Sequence, residues 1–505
     1  MEKDLTKGSI LNVLLRFSMP YLLSCFLQTF YGMVDLYVTG QYNGAAAISA
    51  VSIGSQVMHM LTVIIVGLAM GSTVGLGVAV GSKHMERASR IIGNTVTLFA
   101  IGSVTLVVIL MLARNGIITV MSVPEEAISQ TKDYMTICFL GIPFITAYNV
   151  ISCIYRGMGD SKSPMYFVGV ACVLNIALDF LLIGGFHMGA AGAAYGTVIS
   201  QAASVVFAVV FLLTGKTGAG IPSSSAGDTG AEETSDTEEK SQGCSEESAK
   251  QDTRRGIRPE NGSGKQGFRL TKQDFIPEQS ILSDILKVGV PVACQDGFIQ
   301  ISFLVITMIA NRRGVDVAAS VGIVEKIITF LFLVPSAMLS SVSAIAAQNR
   351  GAGRHDRARK TLFYAMLISV SCGFVFFLLC QILSEQFVGL FSSEEAVRVL
   401  GGQYLRSYSF DCMMASIHFC FSGFFCAYGL SAFSFAHNLV SVLLVRIPGA
   451  YLATQLFPDT LFPMGMAAPA GSTLSVVICV ALFLIFRERF GIGQKNDQKT
   501  DQGTP

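Results

Sequence analysis

Four side chains stand out by where they fall. Asn175 and Asp179 interrupt the apolar run LNIALDF (174–180), one helical turn apart and therefore on one helix face. Asp35 interrupts FYGMVDLYVTG in the same way, and Thr197 follows the small-residue stretch HMGAAGAAY. Carboxylate, amide and hydroxyl oxygens suit a hard cation such as Na⁺, whereas two carboxylates held close in a low dielectric instead bind a proton. The residue types alone do not choose between the two. The competing reading places Asp35 and Asp179 in a wet vestibule or at the caps of neighbouring helices.

A second set of ionisable residues lies in the other half of the chain: Asp296, the adjacent Glu325 and Lys326 in GIVEKIITFLFLVPSAM, and Arg446 in LVRIPGAYL. Neighbours in sequence point to different parts of a helix surface. Glu325 is therefore free to pair with a cation or face a cavity, while Lys326 and Arg446 pair or snorkel. His59, His418 and His437 also fall in apolar stretches, where packing is the ordinary role. Of the 12 cysteines all but Cys244 sit in apolar segments, with no CxxC pair and no histidine at metal spacing, so they read as small buried hydrophobes. The Walker A pattern GxxxxGK[ST] is absent, which argues against ATP-driven work, and no catalytic constellation emerges; the chain does not read as an enzyme.

The elements that must position these groups are membrane spans. Hydrophobic residues make up 51% of the 505 and charged residues only 14%, against about 25% charged in soluble domains. The net charge of +1 gives no reason to invoke nucleic acid. At about 20 apolar residues per span, roughly a dozen spans are expected, starting near Ile10, Ala45, Ile91, Tyr134, Pro164, Gly189, Leu286, Ala318, Leu362, Tyr404, Ser434 and Pro463. The N-terminus is too polar, and lacks the small-residue cleavage site, to be a removable signal peptide. Basic residues cluster in alternate connections: Lys83, Arg87 and Arg90; Arg156 and Lys162; Arg350, Arg354, Arg357, Arg359 and Lys360; Arg487 and Arg489. The positive-inside rule makes these connections, and both termini, cytoplasmic in a multi-pass protein of the cell inner (plasma) membrane. Arg312 and Arg313 are the exception. With no Trp, Tyr and Phe must form any interfacial belt.

The expected organisation is an N-lobe at 1–214, a disordered cytoplasmic linker at 215–280 rich in Ser, Gly and acidic residues, a C-lobe at 281–490 and a cytoplasmic tail at 491–505. The lobes repeat each other. LLRFSMP ending at Pro20 matches DILKVGVP ending at Pro291, VAVGSKHMERASR matches AAQNRGAGRHDRARK, and MSVPEEAISQTKDYM matches FSSEEAVRVLGGQYL. Six spans per half insert in the same orientation, so the halves are related by an axis along the membrane normal and enclose a central cavity. The repeat is chemically unequal: Arg446 falls on the position of Asn175. Pro20 removes a backbone hydrogen bond from the first helix and should kink or loosen it.

On RGMGDSKSPMYFVGVACVLNIALDFLLIGGFHMGAAGAAYGTVISQ in the first half, and VEKIITFLFLVPSAMLSSVSAIAAQNRGAG with LVRIPGAYL in the second, the chain resembles the multidrug and toxic compound extrusion (MATE) transporters, in their bacterial and archaeal DinF-like branch. The resemblance implies an all-α integral membrane fold of twelve helices in two six-helix lobes, and export of varied, often cationic or amphiphilic, small molecules in exchange for H⁺ or Na⁺, with no cofactor. It places the branch's ion-coupling cluster on Asp35, Asn175, Asp179 and Thr197, with Tyr134 and Asn149 as supporting polar positions and Pro20 as the kink. Another branch carries a C-lobe cation site with a Glu in the seventh helix, which Asp296 matches only approximately.

Two other functions compete. A lipid-linked oligosaccharide flippase needs several cations in its cavity for a pyrophosphate, and the first half has few. A non-transporting receptor or scaffold would work through the linker, and deleting residues 220–275 separates it from a transporter.

Overall fold

The computed structural model describes residues 4–121, 123–213 and 270–492, and these form helices with no strand among them. Hydrocarbon offers the backbone no hydrogen bonds, so a spanning segment satisfies its own N–H and C=O groups as a helix. The N-lobe comprises α1 (Ile10–Tyr42), α2 (Ala45–Gly81), α3 (Met85–Val120), α4 (Glu125–Gly157), α5 (Lys162–Asp179) and α6 (Gly189–Leu213), with α5 continuing into a π-helical turn at Phe180–Gly185. The C-lobe comprises α7 (Gln279–Asn311), α8 (Val315–Leu331), α9 (Leu333–Gly351), α10 (His355–Gly389), α11 (Glu395–Tyr408), α12 (Asp411–Ala427), α13 (Ser431–Ser441), α14 (Ile447–Leu456), the short α15 (Phe462–Gly465) and α16 (Ala467–Ile485). Eleven continuous stretches are long and apolar enough to cross a bilayer, and α11 with α12, bent by 42°, makes the twelfth. The protein is a multi-pass membrane protein of twelve spans in two lobes.

Several helices begin earlier than hydropathy indicates. α3 starts at Met85 rather than Ile91, α4 at Glu125 rather than Tyr134, α7 at Gln279 rather than Leu286, α10 at His355 rather than Leu362, and α11 at Glu395 rather than Tyr404. Apolarity marks where a helix meets lipid; the helix itself continues through polar turns into the headgroup layer and beyond. α1 likewise runs through the polar stretch TGQY (39–42) as a last helical turn, with Thr39 donating to the Asp35 carbonyl at 2.7 Å. α1 is also one continuous element through Pro20.

Most of the expected linker, from 214 to 269, and the tail from 493 lie outside the described residues. The linker's last residues, however, belong to the folded protein. Lys272–Phe275 forms a 3₁₀ turn closed by reciprocal bonds between Thr271 and Asp274, and it docks on α3. Asn94 donates to the Asp274 carbonyl at 3.2 Å, Thr97 to that of Phe275 at 2.8 Å, and the Glu278 amide to Asn94 Oδ1 at 2.6 Å. A deletion meant to remove only a linker therefore has to end before Leu270.

The lobes share a core at one end and separate at the other. Leu14, Phe17, Met70 and Val74 of the N-lobe pack in one cluster with Val288, Val342 and Phe424 of the C-lobe, all at the end bearing the N-terminus. Toward the opposite end the clusters are lobe-specific, around Val38, Tyr134 and Ala194 in one and Ile306, Val324 and Ala450 in the other. Glycine permits the close seam: a Cβ on Gly71 would lie 2.0 Å from the Ile285 carbonyl oxygen, and one on Gly289 2.2 Å from that of Leu68. The result is a bundle closed at the N-terminal end and cleft at the other.

A strap reinforces the closed end. The Leu5 amide donates to Gln348 Oε1 at 3.2 Å, and Gln348 Nε2 donates to the Gly157 carbonyl of the N-lobe at 3.2 Å. Arg354 donates to the Thr6 carbonyl at 2.7 Å, and Arg357 to those of Gly8 and Lys7 at 2.7 and 2.9 Å. The partly buried Arg354 bond, from a charged donor, contributes about 1.5 kcal/mol, and the exposed Arg357 bonds add little. The double variant Arg354→Ala/Arg357→Ala is expected to melt ~5 °C lower in detergent, by the usual 2–4 °C per kcal/mol, in a thermal unfolding assay.

Candidate functional site

The N-lobe brings together the four residues singled out by sequence. Asp35 on α1 is 6% exposed, and Asn175 and Asp179, one above the other on α5, are fully buried. The Thr197 hydroxyl of α6 donates to Asp35 Oδ2 at 3.3 Å. The Asp35 carboxyl also meets the side chains of Asp179 and Asn175. Those contacts are looser than hydrogen-bond geometry. Asp35 Oδ1, both Asp179 oxygens and both polar atoms of the Asn175 amide lack a conventional partner. Buried polar atoms without partners are costly, and here five of them converge.

The electrostatics are equally one-sided. Among the described residues no Lys or Arg is a charge neighbour of Asp35 or Asp179, so the two carboxylates face each other without a fixed cation. The donor set is two carboxylates with amide and hydroxyl oxygens; among the described residues no cluster of three or more His, Cys, Asp or Glu occurs. The same oxygens suit a Na⁺ ion or a shared proton.

Three features place these atoms. Asp35 lies about two turns before the end of α1 at Tyr42, and Asp179 sits where α5 gives way to the π turn of Phe180–Gly185, so both reach the same depth near the cleft end. π-helical turns recur at functional sites because one extra residue re-aims the side chains beside it. Gly196 lets α6 approach: a Cβ there would stand 2.6 Å from Asp179 Oδ1 and 3.6 Å from Asn175 Nδ2. Gly196→Ala is expected to disturb the carboxylate pair without emptying a core position, lowering dye efflux from cells about tenfold, a loss of ~1.4 kcal/mol, at normal expression.

Of the supporting positions, Tyr134 is brought in and Asn149 is not. Tyr134 is buried and in electrostatic contact with both carboxylates. Asn149 donates instead to the Ile145 carbonyl of its own helix at 2.8 Å. Sequence reading missed Gly196, Tyr31 and Gln201. Tyr31 faces Asp35 from one turn back on α1 and meets the side chains of Gln28 and Gln201, the latter one turn beyond Thr197. Their spacing from Asp35 and Thr197 was the available signal.

The C-lobe charges form a different cluster. The Arg446 guanidinium donates to the Tyr408 hydroxyl at 2.8 Å and lies 4.6 Å over the Phe303 ring. Asp411, Tyr404 and Glu325 are its other charge neighbours. Glu325 accepts from Thr307 at 2.9 Å and has Lys326 beside it. Lys326 is exposed, with His59 of the N-lobe in its field. Asp296 stands apart, on α7 against Gly67 of α2, and is not a charge neighbour of Glu325, Asp411 or Arg446. His437 bonds Ser422 at 3.0 Å and stacks edge-on with His418 at 5.6 Å, inside the packing of α12 and α13. Arg313, the exception to the charge rule, caps the Phe457 and Thr460 carbonyls at 3.3 and 3.5 Å.

Comparison with known proteins agrees with this architecture. The chain is 26% identical over 484 residues to the probable multidrug resistance protein YpnP of Bacillus subtilis, covering 96% of each chain. It is 22% identical to the multidrug export protein MepA of Staphylococcus aureus, covering 89% of each. Its fold superimposes on the crystal structure of a MATE protein in complex with MaL6 with a TM-score of 0.80 at 20% identity, covering 97% of this chain and 98% of that one. A transporter from Pyrococcus furiosus, described as having a binding pocket of reverse polarity, superimposes with the same TM-score at 19% identity, covering 97% of each chain. The MatE family model matches twice, at residues 20–181 and 291–452, once in each lobe. With two lobes of one fold, each carrying that match, the chain belongs to the MatE family of multidrug and toxic compound extrusion transporters.

Proposed function

We propose that the protein exports drug-like organic compounds, cationic or amphiphilic, in exchange for H⁺ or Na⁺ bound at Asp35 and Asp179. The observation that carries this reading is the pair of buried carboxylates with no fixed counter-cation among the described residues. Proton or Na⁺ binding there neutralises the cluster, and a neutral cluster no longer favours the arrangement that exposes it to water. The lobes then rock toward the opposite opening, with the segment around Pro20 as one place to bend, and drug leaves as the cycle turns. The relatives named for multidrug resistance and export support the substrate class.

The closed end is taken to be cytoplasmic, and with it both termini, because Arg156, Arg350, Arg354 and Arg357 gather there. One ion moving inward across 100 mV gains about 2.3 kcal/mol, enough for roughly fiftyfold accumulation of a neutral compound; exchanged one for one against a singly charged drug it moves no net charge, and the ion's concentration gradient supplies the drive. Membrane lipids are the surroundings, and no nucleic acid is involved. The flippase alternative needs unpaired cavity cations, whereas Arg446 and Lys326 both have carboxylate neighbours. Proteoliposomes loaded with ethidium and given a pH or a Na⁺ gradient test the proposal: one of the two drives ethidium movement if it is right, and neither does if it is wrong.

A further inference from the structure

A cavity of about 610 Å³ opens at the closed end, away from the cleft, where the N-terminal strap, the first turns of α1 and the connection between α4 and α5 meet. That size falls within the roughly 300–1,000 Å³ of small-molecule sites. Its walls are of two kinds. Val13 and Phe17, one turn apart on α1, and Leu5 of the strap make one side apolar, while Arg16, on the same face of α1, and Lys162, the first residue of α5, bring two exposed cations to it. Neither cation is in an ion pair among the described residues. The two carboxylates nearest in the chain are committed elsewhere. Asp4 pairs with Lys7 at 3.3 Å and accepts from the Thr6 amide at 2.9 Å. Asp160 accepts from the Lys162 amide at 2.9 Å, the Ser163 amide at 3.3 Å and the Ser163 hydroxyl at 2.6 Å.

We infer that this cavity binds the headgroup of an anionic phospholipid, its phosphate between Arg16 and Lys162 and its glycerol and upper acyl chain along Leu5, Val13 and Phe17. Arg16 follows the start of α1 at Ile10 by six residues, about 9 Å. That is the depth at which a spanning helix passes the headgroup layer, where basic pockets between helices hold anionic lipid. A soluble anion would use the two cations and leave the apolar wall bare. Occupancy also bears on the fold. Leu5 lines the cavity, and its amide donates at 3.2 Å to Gln348, the residue that bridges to the Gly157 carbonyl. A lipid seated against Leu5 holds the strap where it ties the lobes, and so favours the arrangement in which this end is shut. The site is independent of the exchange proposed at Asp35 and Asp179.

Native mass spectrometry and amide hydrogen exchange of the intact protein test the inference, with dioctanoyl phosphatidylglycerol, dioctanoyl phosphatidylcholine or inorganic phosphate added in a neutral detergent. Phosphatidylglycerol is expected to bind about thirtyfold more tightly than phosphatidylcholine, about fivefold for each of the two basic groups, and to slow exchange in the strap. Inorganic phosphate alone does not slow it. Arg16→Gln or Lys162→Gln lowers the preference to about fivefold, and the double variant removes it; Lys360→Gln, a cation at the same end outside the cavity, leaves it unchanged. Equal binding of the two lipids by the wild-type protein, a result that needs no variant to fold, overturns the inference, as does a preference that survives in the double variant. Strap protection by inorganic phosphate alone overturns the lipid assignment, and lipid binding with unchanged exchange in the strap overturns the hold on the closed end.

Discussion

On the proposed exchange, Asp35→Asn and Asp179→Asn are each expected to reduce ethidium accumulation driven by a tenfold ion gradient from about tenfold, the limit of an electroneutral one-for-one exchange, to about unity. The reason is the lack of a substitute: among the described residues no Lys or Arg neighbours either carboxylate, and the other polar groups, Asn175 and Thr197, are neutral. Neutralising one carboxylate removes the charge that a cation must balance. Stability moves the other way. A buried, uncompensated carboxylate opposes folding, so both variants melt at the wild-type temperature or above it. Loss of transport together with a raised melting temperature is a pattern that a packing defect does not produce. Transport in proteoliposomes and a thermal melt of the same preparation read both quantities.

The second large effect lies at the seam between the lobes. Gly289→Leu places its Cβ 2.2 Å from the Leu68 carbonyl oxygen, well inside van der Waals contact with backbone that has no rotamer to change. Overpacking of this kind costs about 1–3 kcal/mol, and here it falls on one conformation. The closed N-terminal end is held by this seam, by the shared core around Phe17 and Val342, and by the Gln348 bridge. The variant is therefore expected to insert and express, to lose transport at least about tenfold, and to expose the closed end to water-soluble thiol reagents. Cysteine placed at Gly159 reports that exposure.

What the sequence made legible, it made legible through contrast. A carboxylate in LNIALDF is conspicuous because everything near it is apolar, and the same contrast marks Asp35 in FYGMVDLYVTG. The internal repeat fixed the two-lobed plan for the same reason, since Pro20 and Pro291 punctuate otherwise uniform segments. Gly196 was invisible among 50 glycines because its role is the absence of a side chain, which only the approach of α6 to α5 defines. Asn149 had the right residue type and the wrong direction: its amide satisfies its own helix. Helix starts were misplaced wherever a helix outruns the membrane, as at Glu125 and Glu395. The fold of Leu270–Pro277 onto α3 was hidden because a polar segment that docks through Asn94 and Thr97 has the composition of one that does not dock.

The two-ended shape, a shared core at one face and lobe-specific cores at the other, gives alternating access a physical basis. Breaking the seam, the strap and the common core near the N-terminus has to be offset by new contacts at the cleft end. On the proposed mechanism, neutralisation of Asp35 and Asp179 is the event at that end that changes the balance.

The measurement that bears most directly on this account is ethidium flux in proteoliposomes under a pH gradient and a Na⁺ gradient imposed separately, for the wild-type protein and for Asp35→Asn and Asp179→Asn. The account predicts flux driven by at least one gradient in the wild-type protein and by neither in the two variants. Wild-type flux indifferent to both gradients, or gradient-driven flux that survives in both variants, would contradict it.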